Sequence, residues 1–307
     1  MVDWWDAFLF YARPETLLQR WESGLFALGM IALVISLELC VVGWSRSTLG
    51  IVMKFRGTDK WDLISLFLQV TGLQKILTNI FFIGFIGYLV IVTKNISVDV
   101  FSGFPFWARF VSAIFLYDFL MYWNHRIRHE WDWLWIVHEY HHSSTEITVL
   151  TDSRTHPLDY IVYFLTTGLM MKIFVISEVR HIIWFLVVTW VPSLIAHSRL
   201  DTSFGWLGRY IIVSPRFHHL HHEKGEAGFK NYGLVFIIWD RVFGTYLEPS
   251  KSIRTISQGL LDEGYKRRPL KSFLVSVIKF YQYPARKIGK LYSFKASSRS
   301  RAVEPKS

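Results

Sequence analysis

Apolar residues run through this chain in long blocks separated by short polar interruptions. Five blocks have the character of membrane spans: Ser23–Trp44, Ile76–Thr93, Trp107–Trp123, Leu158–Ile176 and Ile182–His197. At a rise of ~1.5 Å per residue, about 20 residues cross the hydrocarbon core, so the shorter blocks are just long enough. Trp21 and Trp44 bracket the first block, and Trp107 and Trp123 the third, as expected of rings that sit at headgroup level. Asp62–Thr71 is a shorter amphipathic piece that lies in the interface or extends the second span. The first block starts too late and runs too long for a cleaved signal peptide. The pattern predicts an all-α, polytopic membrane bundle of about 4–5 spans.

Composition agrees: 51% of residues are apolar, mean hydropathy is +0.26, and there are 14 Trp, 14 Tyr and 25 Phe. The single cysteine, Cys40, lies in an apolar run, which excludes a disulfide framework and a cysteine zinc site. The net charge of +10 is carried by the C-terminus. Lys266–Ser307 holds 12 Lys/Arg against one acid, Glu304, while the other 265 residues hold 22 against 23. The basicity therefore describes a tail suited to anionic lipid, not a nucleic-acid-binding face. Its last dozen residues fit a solvated, disordered segment equally well.

Charge also sets orientation. The segment between spans one and two carries Arg46, Lys54, Arg56 and Lys60 against Asp59, so it should be cytoplasmic. The next loop has only Lys94 and Asp99. Counting crossings puts the N-terminus outside, residues 124–157 inside, the Ser177–His181 turn outside, and everything after His197 inside. The basic tail then falls on the cytoplasmic side.

All twelve histidines lie between His125 and His222. His125 and His129 are four apart; His138, His141 and His142 sit at i, i+3 and i+4; His218, His221 and His222 repeat that pattern. Residues three and four apart share a helix face, so each group can aim its imidazoles at a common point. Between the second and third groups lies a two-span hairpin that returns to the same side, so both groups, with His197 at the end of the returning span, emerge on one cytoplasmic face. His181 falls on the opposite face and should not be a ligand. The eight or nine converging imidazoles exceed what one four-coordinate structural zinc needs and suit two metals with open positions.

His125-Arg-Ile-Arg-His129, His138-Glu-Tyr-His141-His142 and His218-His219-Leu-His221-His222 resemble the HX3H, HX2HH and HX2HH boxes of the fatty acid hydroxylase / sterol desaturase superfamily. The resemblance extends to Asp118 and Tyr122-Trp123, to Arg154-Thr-His156-Pro157, to Lys230-Asn231-Tyr232-Gly233 and to the run from Trp239 to Thr245. It covers about residues 107–247, and is strongest to the alkylglycerol-monooxygenase-like branch, where a histidine matching His197 precedes the third box. It implies a centre of two Fe ions, with Zn as a possible substitute in purified material, held by His125, His129, His138, His141, His142, His197, His218, His221 and His222. It also implies O2 as oxidant and a lipid substrate such as a sterol, fatty acyl chain or ether lipid. Ser193 departs from relatives, which often carry an amide side chain four residues before His197.

Asp118, Tyr122, His125 and His129 form one helical stripe. Asp118 lies where an unpaired carboxylate is costly, which makes it a candidate to take the second N–H of a ligand imidazole, against a plain helix-packing role. Asn231 and Arg154 are candidates for orienting carboxylates or dioxygen, against loop-structuring roles. His219 is the filler of the third box. His156 is either an outer partner of the metals or a cap on the following helix. Glu38 reads as a packing group, and Trp131, Trp133 and Trp135 as an interface belt.

Three regions are expected: residues 1–106 spanning the membrane, 107–247 carrying the chemistry, and 248–307 as a basic cytoplasmic tail. No Gly-rich dinucleotide fingerprint or haem-attachment cysteine pair is present, so electrons should come from a separate reductase, a cytochrome or a diffusible pterin. Two other classes compete. A metal-ion transporter or sensor predicts polar positions continuing to the far side, where only His181 stands. A zinc-dependent hydrolase would use the His-Glu-x-x-His string at His138–His142, but leaves the first and third boxes without purpose. Oligomeric state is not encoded in any pattern found.

Overall fold

The computed structural model describes residues 3–54, 59–93, 95–96, 103–174, 179–250, 252–261 and 264–301. These residues are helical, with two isolated β-bridges and no strand among them. In chain order the helices are α1 (Trp4–Leu9), α2 (Pro14–Val42), α3 (Thr48–Val52), α4 (Asp59–Val70), α5 (Leu73–Phe81), α6 (Phe85–Thr93), α7 (Phe106–Glu130), α8 (Asp132–His142), α9 (Tyr160–Phe174), α10 (Val179–Ala196), α11 (Gly205–Tyr210), α12 (Pro215–His221), α13 (Ile238–Val242), α14 (Gly264–Arg267) and α15 (Pro269–Arg301).

The helix α2 starts on Pro14 and stops at Gly43, whose φ of +73° glycine adopts without steric cost. Its inward side, with Ile31, Val34 and Ile35, packs on Val149, Leu150 and Leu194. Its other side leaves Leu25, Leu33, Leu37 and Val41 exposed. Glu38, fully buried on α2, accepts hydrogen bonds from Thr48 N (2.7 Å), Thr48 Oγ1 (3.1 Å) and Arg199 N (2.6 Å). It thereby pins the turn that follows His197.

Among the described residues one helical stretch, Glu22–Val42, is long and apolar enough to cross a membrane alone. The pair Lys60–Val70 and Leu73–Phe81 passes the same test together but is bent by 88°, and Tyr160–Met170 and His181–Ala196 are shorter apolar helices. The expected second span, Ile76–Thr93, is not one helix. It stops at Phe81, turns through Ile83 (φ +52°) and Gly84 (φ +77°), and resumes at Phe85. Asn79 braces the break, donating to Ala7 O (3.1 Å) and accepting from Gly87 N (2.8 Å). Ser177 and Glu178 of the Ser177–His181 turn, and most of the Lys94–Asp99 loop, lie outside the described residues.

The second core joins α7, α9 and α10 through Ala113, Ile114, Tyr117 and Met121 against Met170 and Phe185. The chain breaks at Trp131, in extended conformation, so α8 leaves the end of α7 at an angle. That break turns the first and second histidine boxes toward each other. Ala196, Val213, Phe217 and Ile237 form a third core that holds α12 against the end of α10.

Candidate metal centre

The C-terminal turns of α7, α8, α10 and α12 converge, and each brings its histidines inward. His125, His129, His138 and His142 form one set and His141, His197, His218 and His222 a second, with ligand-capable atoms within 4.8 Å of one another in each set. His142, His221 and His222 form a third group at the seam, where the His142 and His222 rings stack at 4.3 Å. The i, i+3, i+4 spacing splits as helix geometry requires: His138 and His142 face one set and His141 the other.

Hydrogen bonding prepares these rings for a cation. His125 Nδ1 meets Tyr232 O (2.9 Å), His141 Nδ1 meets Arg154 O (3.1 Å), His197 Nδ1 meets Ser193 O (2.9 Å), and His221 Nδ1 meets Lys230 O (2.8 Å). A carbonyl can only accept, so each Nδ1 carries the proton and each Nε2 keeps its lone pair. His138 Nδ1 meets the Asp159 carboxylate at 2.9 Å. The buried Nε2 atoms of His129, His138, His142 and His221 have no partner. His218 Nε2 lies 2.9 Å from His197 Nε2 and 3.2 Å from His222 Nε2. Buried polar atoms are nearly always paired, and lone pairs crowded together are relieved by a shared cation. The residues present therefore fit bound metal.

Electrostatics favours the same state. Burial, and then neighbouring histidines, hold His125, His129, His141, His142, His218 and His222 well below the ordinary imidazole range, and burial pushes His221 down to about 3. Neutral imidazole is the ligating form.

The other sequence candidates lie elsewhere. Asp118 does not meet a histidine: its oxygens accept from Val235 N (2.8 Å), Phe236 N (3.1 Å) and Trp239 Nε1 (2.8 Å). Asn231 bonds Leu247 N (2.7 Å), Leu247 O (3.0 Å) and Phe217 O (3.3 Å), and stands at φ +61°. That backbone turn lets the carbonyls on either side, Lys230 O and Tyr232 O, serve His221 and His125. Asp240 holds the same loop through Tyr232 N, Gly233 N and Thr245 Oγ1. Gly233 has no room for a side chain, since a Cβ there would lie 2.7 Å from Phe236 O and 2.9 Å from Asp240 Oδ2. So Asp118, Asn231 and Asp240 shape the loop, and the loop orients the His125 and His221 rings.

Asp159 and Asp152, which the sequence reading passed over, are the carboxylates at the site. Asp159 also pairs with Arg128 (3.2 Å), the buried arginine inside the first box. Asp152 takes the Ser193 hydroxyl at 2.5 Å and lies 3.5 Å from His197 Nδ1. Arg154 is buried against Asp62 (3.3 Å) and acts on His141 through its carbonyl. His219 is bonded at both nitrogens, to Ser198 O (2.9 Å) and Gln258 (2.6 Å), and belongs to neither set. His181 stacks on Phe106 at 3.9 Å, and Glu139 exerts its charge on Tyr265. Trp135 and Phe229 wall the first set beside His129, while Trp133 instead stacks on Phe280.

His156 accepts from Leu158 N (3.2 Å), contacts Ser276 Oγ (3.3 Å) and packs on Phe273. It thus caps the approach to α9. Burial pushes it down to about 4 from an ordinary 6.5. The unfolded chain therefore takes up this proton first on acidification, so the contribution of a neutral His156 is whole above pH 6.5 and is lost as pH falls toward 4. The loss should approach about 3 kcal/mol. In chemical denaturation measured across that window, His156→Gln should flatten the acid limb of the stability curve; an unchanged slope would remove His156 from this role.

Comparison with known proteins gives the same stretch. Residues 110–245 match the family model described as Fatty acid hydroxylase. Ornithine lipid hydroxylase OlsE of Rhizobium tropici is 30% identical over 61% of this chain and 55% of its own length. Alkylglycerol monooxygenase of Danio rerio is 29% identical over 60% of this chain and 37% of its own. Fatty acid hydroxylase vlmA of a Lecanicillium species is 28% identical over 48% and 45%. The chain thus spans only 37–55% of these relatives. No solved structure gives a significant match. The stretch that builds the histidine pocket is thus the one that is similar to the fatty acid hydroxylase family, over residues 110–245.

Proposed function

We propose that this chain is a membrane-bound, non-haem di-iron oxygenase that hydroxylates, or desaturates, a lipid with O2 and external electrons. The observation that carries this reading is the pair of four-histidine sets in one pocket, with unpartnered buried nitrogens aimed inward. An all-imidazole donor set suits iron, zinc or copper, and the family match favours iron. Iron supplies the redox capacity for attack on an unactivated C–H bond, which acid–base chemistry cannot reach. The protein's own groups hold the imidazoles in one tautomer and keep them neutral. His125, His129, His138, His141, His142, His197, His218, His221 and His222 are the proposed ligands, with His221 at the seam.

Relatives named for ornithine lipid, alkylglycerol and fatty acid substrates support a lipid with a polar head and a long chain. On this reading residues 1–106 anchor the chain, 107–247 carry the chemistry, and the pocket and C-terminus face the cytoplasm, with four to five membrane segments in all. The exposed apolar face of α2 and the loop charges support that placement. A separate reductase, cytochrome or pterin delivers the electrons.

The test compares total lipids of cells carrying the intact chain with those carrying the His138→Ala, His141→Ala double variant. A lipid that gains one oxygen only with the intact chain establishes hydroxylation; loss of two hydrogens establishes desaturation. Purified intact chain should contain two irons. Identical lipid profiles, with O2 and a competent reductase present, would overturn the oxygenase reading in favour of metal transport.

A further inference from the structure

The longest helix, α15, comes from the basic tail, yet it is packed into the fold. Phe280 and Val277 join Val137 of α8 and Leu158 in one core. Trp133 Nε1 donates to Phe280 O at 2.8 Å, and Phe273 and Ser276 contact His156. These four residues occupy one arc of the helix. Next to them around the helix, within roughly 80° at 100° per residue, come Leu270, Leu274, Ile278 and Tyr281. All four are at least half exposed, at 59%, 53%, 54% and 50%. The following arc carries the exposed cations Lys271, Lys279 and Arg286. The helix surface thus reads in sequence: protein-facing, apolar and exposed, cationic.

Its position adds an independent argument. The Tyr281 hydroxyl donates to Phe81 O, at the end of α5 in the bent apolar pair. Phe81 and Phe82 pack against the same core as Phe280. The exposed stripe therefore starts beside the end of one apolar helix, α5. An apolar strip edged by cations matches an anionic lipid surface, which takes the leucines below its headgroups and the cations at its phosphates.

We propose that α15 lies in the plane of the membrane on anionic lipid, with Leu270, Leu274, Ile278 and Tyr281 immersed and Lys271, Lys279 and Arg286 at the phosphates. Because its other face braces α8 and His156, lipid contact here steadies the helix that carries the second histidine box. This rests on the membrane placement proposed above, and the experiment separates the two.

The full chain, in a Cys40→Ser background, is labelled with an environment-sensitive fluorophore at Leu33→Cys, Leu274→Cys or Lys279→Cys. It is placed in nanodiscs of phosphatidylcholine alone or mixed equally with phosphatidylserine. Spin-labelled lipid should quench the labels at positions 33 and 274 in the mixed discs, while aqueous iodide should quench the label at 279. Neutralising Lys271, Lys279 and Arg286 to Gln in the chain labelled at 274 should weaken the lipid contact at about fivefold per cation. Iodide quenching at 274, with lipid quenching at 33, overturns the proposal alone and leaves the stripe to a soluble acidic partner such as an electron carrier. Equal lipid quenching at 274 in both disc types overturns its anionic specificity. Iodide quenching at 33 overturns the membrane placement itself.

Discussion

His142→Ala is expected to reduce bound iron from two per chain to at most one and to abolish measurable lipid oxidation. His142 sits in the first set and in the seam group, against the His222 ring, so its loss opens one site and removes a wall of the other. The fall in metal affinity should exceed the roughly 10–100-fold that loss of an outer partner costs. His219→Ala supplies the contrast. That ring is equally buried and only two positions from His221, but both its nitrogens are bonded to protein. Its removal should lower stability by about 1–3 kcal/mol while two irons remain. Metal content by plasma mass spectrometry and thermal unfolding of both variants decide the matter. Equal iron in the two variants would mean that the sets are not the metal sites.

These two histidines show what the sequence could and could not tell. The i, i+3, i+4 spacing reveals a shared face, and the filler status of His219 follows from the box pattern. The pocket was legible because helix periodicity is local: residues three and four apart share a face whatever the rest of the chain does. Ligand orientation was not legible. Four rings are held by backbone carbonyls of Arg154, Ser193, Lys230 and Tyr232, and every residue has a carbonyl, so no side-chain pattern announces them. Asp118 was singled out because an acid in an apolar helix needs a partner; it has three, all between Val235 and Trp239. The same reasoning applied to Asp159, at the edge of an apolar block, would have found the carboxylate that meets the His138 ring. The break at residues 82–84 escaped because Ile83 and Gly84 stand in an otherwise unbroken apolar run, and hydropathy does not register backbone direction.

Asp159→Asn should cost metal at the first set while sparing the second. The carboxylate accepts from His138 Nδ1 with one oxygen and faces Arg128 with the other. Both side chains are almost wholly buried, and Arg128 is 8% exposed. An amide of the same shape no longer adds negative charge behind the imidazole, so His138 becomes a poorer donor and affinity at that set should fall roughly 10–100-fold. It also leaves the Arg128 guanidinium without its counter-ion, a loss of about 3–5 kcal/mol in stability. The two effects are separable. Adding Arg128→Gln removes the stranded charge, so the double variant should recover much of the stability, yet its first site should stay weak. Metal titration should then show one tight and one weak iron in both variants, against two tight irons in the parent. If Arg128→Gln restored metal binding together with stability, the role of Asp159 would be to neutralise Arg128 and not to tune His138.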